Sequence, residues 1–214
     1  MTPRVGVCDY GVGNLRSVER ALVNAGASVC VSADPEDIDG CDGVVLPGVG
    51  AFAAASAVLR DRGLDGAVRA AAARGLPVFG VCLGHQLLFE HSDEGDGGDG
   101  LGLLPGNVTR LRVAGHKVPH MGWNRINRVR DSGLLSDVAD GAYVYFVHSY
   151  AAQPEPGDTV AVTDYGGEIA AAVQRENVMG TQFHPEKSGP VGLGVYAGFV
   201  RMCAASMSPA TRVT

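Results

Sequence analysis

The stretch Leu76-Pro77-Val78-Phe79-Gly80-Val81-Cys82-Leu83-Gly84-His85-Gln86-Leu87-Leu88 decides the fold. A short apolar run passes into glycines that flank a cysteine, and then into a helical pattern. We therefore expect Cys82 on a tight strand-to-helix turn, with Gly80 and Gly84 tolerating its unusual dihedral angles and close packing. Unpaired N–H groups at a helix start favour a thiolate. The pattern fits a catalytic nucleophile and, equally well, a buried structural cysteine.

Strand-like and helix-like segments alternate through the first half of the chain. The predicted strands cover residues 4–10, 27–31, 43–46 and 78–81. A helix is predicted over 15–24, and an alanine-rich helical stretch breaks near Gly63 and ends at Gly75. This alternation predicts an α/β fold with a mostly parallel sheet and helices on both faces. In such sheets functional groups gather at the carboxyl ends of strands, where Gly48 and Cys82 both fall.

The second half is richer in strands. Strands are predicted over 108–113, 143–148, 159–163, 169–174 and 178–183, followed by a closing helix over 191–203. The acidic segment 34–37 is interpreted as a surface connection, and the glycine-rich acidic segment 93–100 as a solvated loop. We expect one domain over residues 1–205 and a mobile tail over 206–214.

Composition excludes several classes of function. A chain of 214 residues that is 46% hydrophobic can bury the core of one domain. The net charge of −6 and the absence of a basic stripe argue against nucleic acid or an anionic membrane as partner. Five cysteines, without CxxC or metal spacing, suit a reducing cytoplasm. No signal peptide or membrane span is evident near the start or elsewhere. The loop 11–14 (GVGN) is not a dinucleotide fingerprint, since its third glycine would fall on Arg16.

A second candidate segment is His184-Pro185-Glu186, at the end of a predicted strand. A cysteine nucleophile needs a base, and the base needs an acceptor that holds its tautomer, so Cys82, His184 and Glu186 could form a catalytic set. The alternative is a surface turn. Among the other histidines, His116 and His120 lack zinc-ligand context, His85 and His91 are interpreted as packing or surface residues, and His148 as lining a cleft.

Three segments together resemble a known family. Residues 47–50 (PGVG), 80–86 (GVCLGHQ) and 184–186 (HPE) look like those of the class I, or triad, glutamine amidotransferases, in that order and over most of the chain. Within that class, residues 9–15 (DYGVGNL), 119–124 (PHMGWN) and 146–150 (FVHSY) closely resemble the glutaminase subunit of imidazole glycerol phosphate synthase. The resemblance implies a flavodoxin-like α/β fold with a mostly parallel mixed sheet.

The resemblance also implies a site. It would hydrolyse the side-chain amide of L-glutamine through a γ-glutamyl thioester, with neither metal nor cofactor. The implied catalytic residues are Cys82, His184 and Glu186; the implied oxyanion hole comprises Leu83 and the Gly48-Val49 peptide; the implied glutamine-binding residues are Gly50, Gln86, Glu94, Ser149 and Tyr150. Trp123, Asn14 and Lys187 are expected on the surface that faces a partner.

The implied partner is a separate (β/α)8-barrel cyclase subunit, giving a heterodimer in histidine biosynthesis. Ammonia would pass to N'-[(5-phosphoribulosyl)formimino]-5-aminoimidazole-4-carboxamide ribonucleotide, giving imidazole glycerol phosphate and the aminoimidazole carboxamide ribonucleotide. One departure is His85, where that subunit more often carries methionine. Two alternatives stay open. Another glutaminase, such as that of pyridoxal phosphate synthase, should lack the 9–15 and 119–124 strings, and a non-catalytic flavodoxin-like module should bind a nucleotide or flavin.

Overall fold

A computed structural model describes residues 1–113 and 115–207. The strands are β1 Arg4–Cys8, β2 Ser28–Ser32, β3 Gly43–Leu46, β4 Val78–Val81, β5 His91–Ser92, β6 Gly98–Asp99, β7 Gly106–Arg110, β8 His120–Arg125, β9 Asn127–Arg128, β10 Tyr143–His148, β11 Tyr150–Pro154, β12 Thr159–Asp164, β13 Glu168–Arg175 and β14 Val178–Thr181. The α-helices are α1 Leu15–Asn24, α2 Pro35–Asp39, α3 Phe52–Asp61, α4 Leu64–Ala73, α5 Leu83–Leu87 and α6 Gly189–Ser206. Two 3₁₀ turns cover Gly133–Leu135 and Pro185–Lys187.

The central sheet has the strand order β2-β1-β3-β4-β14-β13-β12-β9. The five strands from β2 to β14 in this order run parallel, and the remaining neighbours pair antiparallel. The expected mostly parallel mixed sheet is therefore confirmed. Because β4 and β14 are parallel neighbours, their carboxyl ends meet at one edge, and the residues that follow each strand lie close together.

Helices cover both faces of this sheet, as expected from the alternating pattern. On one face, Val5, Val45 and Phe79 pack against α1 and α6. On the other, Val44 and Val78 pack against α2, α3 and α4. Alternate residues of each strand thus contribute to two separate cores, which is why these strands read as continuous apolar runs.

Two small sheets lie outside the central sheet. Strand β10 pairs with β8, and a four-stranded sheet has the order β11-β7-β5-β6. The chain passes from one small sheet to the other at Ser149, between His148 and Tyr150. The segment 146–150 is thereby held from both sides.

Two expectations about local structure were wrong, and several strands were not predicted. Segment 34–37 begins a short helix, α2, because the Asp34 carboxylate accepts the Glu36 N–H at 2.9 Å and Pro35 suits a first helical position. Segment 93–100 is not simply a solvated loop, since Gly98–Asp99 forms β6. The strands that were not predicted are β5, β6, β8, β9 and β11. In β8, Gly122 and Asn124 weaken the local signal, and the strand forms through its pairing with β10.

The end of the chain is described only in part. The closing helix extends through Ser206, three residues beyond its predicted end. Residues 208–214 of the predicted mobile tail lie outside the described residues.

None of the helices that the structure describes is both long and apolar enough to cross a membrane. All five cysteines are free thiols.

Candidate active site

Cys82 lies on the turn between β4 and α5, as predicted. Its backbone has φ 53° and ψ −106°, an unfavourable combination for a residue with a Cβ. Its amide donates to the carbonyl of Thr181 at 2.8 Å, which ties the turn to the end of β14. The thiol is buried, with 6% of the residue exposed. The surrounding structure therefore holds Cys82 in a strained conformation, a feature that clusters at functional sites.

The glycines beside Cys82 serve close packing and do not supply the unusual dihedral angles. A Cβ on Gly84 would lie 1.7 Å from the carbonyl oxygen of Leu46, and one on Gly80 would lie 2.6 Å from the carbonyl oxygen of Gly84. Neither glycine has a positive φ. The expectation that Gly80 and Gly84 take the unusual angles was thus wrong, because close contact between α5 and two strands shifts the strain onto Cys82.

His184 and Glu186 form a buried pair directly after β14. His184 Nδ1 lies 2.8 Å from Glu186 Oε1, and the two side chains are 2% and 3% exposed. Pro185 begins the 3₁₀ turn that brings the carboxylate back onto the imidazole. Since Nδ1 donates to the carboxylate, Nε2 is left for other chemistry, and it has no hydrogen-bond partner among the described residues.

The charge state of His184 is set by its neighbours. Burial lowers the pKa of His184, but interaction with Cys82 and Glu186 outweighs burial and raises that pKa to about 9. His184 is then an imidazolium at neutral pH, in a position to give a proton to a group bound beside Cys82.

Cys82 and His184 line one cavity of about 410 Å³. The structure brings together most of the predicted site there. The other residues that line it are Val49, Gly50, Leu83, Gln86, Glu94, Pro119, Val147, His148, Ser149 and Tyr150. All five predicted glutamine-binding residues are in this set, and so is His148, which was expected to line a cleft. Gly48 and Glu186 are not among the lining residues, but each contacts one of them: Gly48 accepts the Leu83 N–H, and Glu186 accepts the His184 Nδ1–H.

Glu94 has a contact that the sequence did not reveal. Its Oε2 accepts the N–H of Phe52 at 2.7 Å, at the first residue of α3. One carboxylate oxygen therefore caps a helix that has no other side-chain cap. Glu94 nevertheless lines the cavity, so its second oxygen is the one available for a cationic group of a ligand.

The segment 47–50 approaches Cys82 in one defined peptide orientation. The Gly48 carbonyl oxygen accepts the Leu83 N–H at 3.4 Å. The hydroxyl of buried Tyr10 donates to the Pro47 carbonyl and so fixes the start of the segment. The Leu83 N–H, one of the two suggested for the oxyanion, is therefore occupied by a carbonyl, and the Val49 N–H points away from Leu83 because it belongs to the same trans peptide as that carbonyl.

Sequence reasoning missed two buried polar groups, one beside Cys82 and one beside His148. Gln182 is fully buried, and its Nε2 lies 3.8 Å from Cys82 Sγ. The signal was present, since an amide between Thr181 and Phe183 at the end of a buried strand needs hydrogen-bond partners. No zinc-ligand context for His120 was found in the sequence, and no other role was expected for it, yet its Nδ1 lies 3.0 Å from His148 Nε2. Neither of these contacts joins residues that are close in the sequence.

The residues expected on a partner-facing surface are exposed. Trp123 is 57% exposed and packs edge-on against Tyr145, with 6.1 Å between ring centroids. Lys187 Nζ lies 5.8 Å from the centroid of the same ring. With Met121 and Tyr143, which are 61% and 56% exposed, these residues form what we call the β8–β10 surface. Asn14 is exposed at the start of α1 and is not part of these contacts.

Comparisons with known proteins agree with the fold and with the motifs. The family model for glutamine amidotransferase class-I matches residues 6–197. The chain is 47% identical over 195 residues to imidazole glycerol phosphate synthase subunit HisH of Bacillus cereus (strain G9842), covering 91% of this chain and 93% of that protein. It is 50% identical over 196 residues to subunit HisH of Moorella thermoacetica, with the same coverage.

A solved structure supports the fold at lower sequence identity. The structure of PurLQS from Thermotoga maritima has a chain that matches with a TM-score of 0.72 at 18% identity, covering 97% of this chain and 100% of that one. At this identity the likeness shows the shared fold alone. Taken with the family match and the HisH relatives, it places the chain in the class-I glutamine amidotransferase family and, within it, in the group of the imidazole glycerol phosphate synthase subunit HisH.

Proposed function

We propose that this chain hydrolyses the side-chain amide of glutamine at Cys82 and supplies the ammonia to a cyclase subunit of imidazole glycerol phosphate synthase. One observation carries the proposal. His184 donates its Nδ1–H to a buried carboxylate, and its Nε2 has no hydrogen-bond partner among the described residues, in the same cavity as the strained Cys82. This is the arrangement of an oriented base next to a nucleophile.

In the first half of the reaction, the Cys82 thiolate attacks the amide carbon and forms a tetrahedral intermediate. The His184 imidazolium then protonates the amide nitrogen, and the C–N bond breaks. Ammonia departs, and a γ-glutamyl thioester remains on Cys82. The raised pKa of His184 favours the protonated form that this step needs. Glu186 orients the imidazole and stabilises its positive charge.

In the second half, neutral His184 takes a proton from water, and the resulting hydroxide attacks the thioester carbon. The C–S bond breaks, glutamate forms, and His184 is again protonated beside the Cys82 thiolate. We assign the backbone N–H groups of Leu83 and Val49 to the oxyanion of both tetrahedral intermediates. The second of these donors requires rotation of the Gly48-Val49 peptide.

The lining of the cavity offers a partner for the charged α-ammonium group of glutamine. Glu94 presents a carboxylate oxygen for the α-ammonium group, in the cavity that Ser149 and Tyr150 also line. Gln86 is held by its Nε2, which donates to the Tyr150 carbonyl at 2.9 Å. We propose that Gly50, Gln86, Ser149 and Tyr150 contact the bound amino acid.

We assign the partner to the β8–β10 surface. Exposed aromatic side chains with an adjacent cation are typical centres of protein interfaces. Trp123, Tyr145 and Lys187 contact one another there, on the sheet whose strand β10 leads into the cavity at Val147 and His148. A partner docked on this surface would lie close to the site where ammonia forms.

The test is a glutaminase assay of the chain alone and with the cyclase subunit and its acceptor. We expect glutamate release in the complex, its loss in Cys82→Ser, and its retention in Cys30→Ser, a matched control because Cys30 is a half-buried thiol outside the cavity. The affinity label 6-diazo-5-oxo-norleucine should modify Cys82 and spare Cys30. Labelling of Cys30 with Cys82 untouched, or full activity of Cys82→Ser, would contradict the assignment.

A further inference from the structure

Two buried histidines outside the proposed triad form a pair next to the cavity. His120 on β8 and His148 on β10 face each other in the strand register, with His120 Nδ1 3.0 Å from His148 Nε2. They are 2% and 6% exposed. The His120 ring is stacked between Phe146 and Tyr165, with centroid separations of 4.6 and 3.9 Å. The position of this ring is therefore tightly fixed.

The hydrogen bonds around this pair define which nitrogen carries each proton. His148 Nδ1 lies 2.8 Å from the Tyr150 carbonyl oxygen, so Nδ1 carries the proton and donates. His148 Nε2 is then an acceptor, and His120 Nδ1 must donate to it. His120 Nε2 in turn accepts from Asn124 Nδ2 at 3.3 Å.

The orientation of the Asn124 amide supports the same assignment. Its Oδ1 accepts the N–H of Arg125 at 2.8 Å, and its Nδ2 also donates to the Asp164 carbonyl at 2.9 Å. A flipped amide would break both bonds. Burial lowers the pKa of His120 and of His148 to about 4, in agreement with two neutral rings. The pair is thus neutral, with both protons on Nδ1.

The same chain of hydrogen bonds continues to the nucleophile. The Tyr150 carbonyl accepts both His148 Nδ1–H and Gln86 Nε2–H. Gln86 Nε2 also donates to Gln182 Oε1 at 3.0 Å, and Gln182 Nε2 lies 3.8 Å from Cys82 Sγ. The donors run from Asn124 through the two histidines to the Tyr150 carbonyl. On the other side of that carbonyl, the Gln86 amide donates both to it and, through Gln182, towards Cys82.

We propose that His120 is a positioning residue that fixes the Nδ1–H tautomer of His148, and that this holds the Tyr150 carbonyl and the Gln86 amide in place for glutamine. The proposal rests on the proposed function for its substrate. Its physical basis is repulsion: in the other tautomer, the lone pair of His148 Nδ1 would face the lone pairs of the Tyr150 carbonyl at 2.8 Å. The Nδ1–H of His120 excludes the Nε2–H tautomer of His148, because the two N–H protons would then point at each other.

The tautomers can be measured without any assay of activity. In ¹⁵N-histidine NMR spectra at pH 7, we expect His120 and His148 both to be neutral with the proton on Nδ1. His120→Phe assigns the His120 signals by their loss. An Nε2–H tautomer or an imidazolium at either residue would overturn the proposal, and this result holds whether or not the chain hydrolyses glutamine.

Two variants separate hydrogen bonding from stacking. His120→Asn places an amide donor near the position of Nδ1 and loses the aromatic stack, whereas His120→Phe keeps the stack and loses the donor. With the complete complex, we expect His120→Phe to raise KM for glutamine about tenfold with a smaller change in kcat, and His120→Asn to stay near the wild type. The reverse order, or equal effects of both variants, would overturn the proposal.

Folding of both variants is checked by circular dichroism and gel filtration. If His120→Phe does not fold, the tautomers of the wild type still decide the question. If the wild type hydrolyses no glutamine, the proposed function fails, and the NMR result alone supports or overturns the fixed tautomer.

Discussion

The carbonyl oxygen of Gly48 accepts a hydrogen bond from the N–H of Leu83, with 3.4 Å between nitrogen and oxygen. The proposed oxyanion donor of Leu83 is therefore occupied by a carbonyl. Val49 N–H belongs to the same peptide as this carbonyl and points the opposite way, because the two groups of a trans peptide are antiparallel. Rotation of this single peptide would remove an acceptor from the site and add a donor.

The first prediction is that the isolated chain is slow. One oxyanion donor is worth roughly a hundredfold or more in rate, so we expect glutamine turnover of the chain alone to be at least about a hundredfold below that of the complex. Partner and acceptor act only through their differential affinity for the two peptide orientations. Equal turnover with and without partner would show that the Gly48 carbonyl does not limit the rate.

Tyr10 offers a way to shift this equilibrium. Its hydroxyl donates to the Pro47 carbonyl, and Tyr10→Phe removes that bond at almost constant volume. Loss of this hydrogen bond removes about 1 kcal/mol of stabilisation from the observed orientation of segment 47–50. We therefore expect basal turnover of the isolated chain to rise several-fold. Gly48→Ala is a poor probe, because its Cβ would lie 2.7 Å from the Tyr10 hydroxyl and 2.8 Å from Gly84 N. Unchanged basal turnover in Tyr10→Phe would exclude a restraining role for this bond.

The second prediction concerns strain at Cys82. Because its φ is 53°, we expect Cys82→Gly to be more stable than Cys82→Ala by about 1 kcal/mol, while both variants lose hydrolysis. Unfolding in urea measures the difference. Glu176, with φ 51° in the turn between β13 and β14, provides the control pair Glu176→Gly and Glu176→Ala. If Cys82→Gly were the less stable variant, the turn would hold no strain that glycine relieves.

The third prediction is a dependence of stability on pH. The folded-state pKa of His184 is about 9, above its ordinary value of 6.5. A raised pKa contributes stability that is fully present below about pH 6.5 and is lost as the pH rises through about 9. The wild type should therefore exceed Glu186→Gln in unfolding free energy most clearly at pH 6, with a smaller difference at pH 10. A difference that grows with pH would contradict the imidazolium–carboxylate pair.

Variants of His184 and Glu186 should differ in how much they lower kcat. We expect His184→Ala to lower kcat in the complex by several orders of magnitude and Glu186→Gln by less, since Glu186 only orients and stabilises the imidazole. Circular dichroism shows whether each variant is folded. Equal loss with unfolding of both variants would indicate a structural role instead.

The predictable parts of the site are those in which short sequence segments dictate the geometry. The apolar run before Cys82 and the turn residue Pro185 were sufficient to place Cys82 and His184 at the ends of two strands. Parallel pairing of β4 and β14 then brought them together, which required only the α/β pattern. The fold class followed from the same alternation.

The remaining features depend on contacts between distant segments. The Tyr10 hydroxyl reaches Pro47, Glu94 reaches Phe52, and His120 reaches His148, in each case across separate elements. No local periodicity encodes such pairs, nor the orientation of the Gly48 peptide. Sequence patterns can indicate which polar residues are buried, but their partners are set by how the elements pack.

The fourth prediction tests the β8–β10 surface. We expect Trp123→Ala to weaken binding of the cyclase subunit by about tenfold or more, since a truncated interface tryptophan commonly costs over 1 kcal/mol. Val129→Ala is the matched control, because Val129 is 54% exposed, close to the 57% of Trp123, and lies after β9, outside this surface. Titration calorimetry measures both. Equal affinities for Trp123→Ala and the wild type would place the interface elsewhere.

The last prediction concerns His85, one helical turn after Cys82. This residue is fully buried, and neither of its ring nitrogens has a hydrogen-bond partner in the part of the chain that the structure describes. Burial and the neighbouring His148 lower its pKa to about 3, so the ring is neutral at pH 7 and buries an unpaired N–H. It packs edge-on against Phe89, with 5.3 Å between ring centroids.

Methionine is apolar and flexible enough to fill the space of the ring without burying a donor. Because an unpaired buried polar group costs about 1–3 kcal/mol, we expect His85→Met to raise the unfolding free energy by about 1 kcal/mol, with turnover of the complex little changed. Urea unfolding at pH 7 measures the gain. His91→Met is the control, since His91 is exposed and pairs with Asp99 at 3.0 Å, and it should give no gain. Destabilisation by His85→Met would show that the imidazole satisfies its N–H, and a gain with lost turnover would show that this ring takes part in the site.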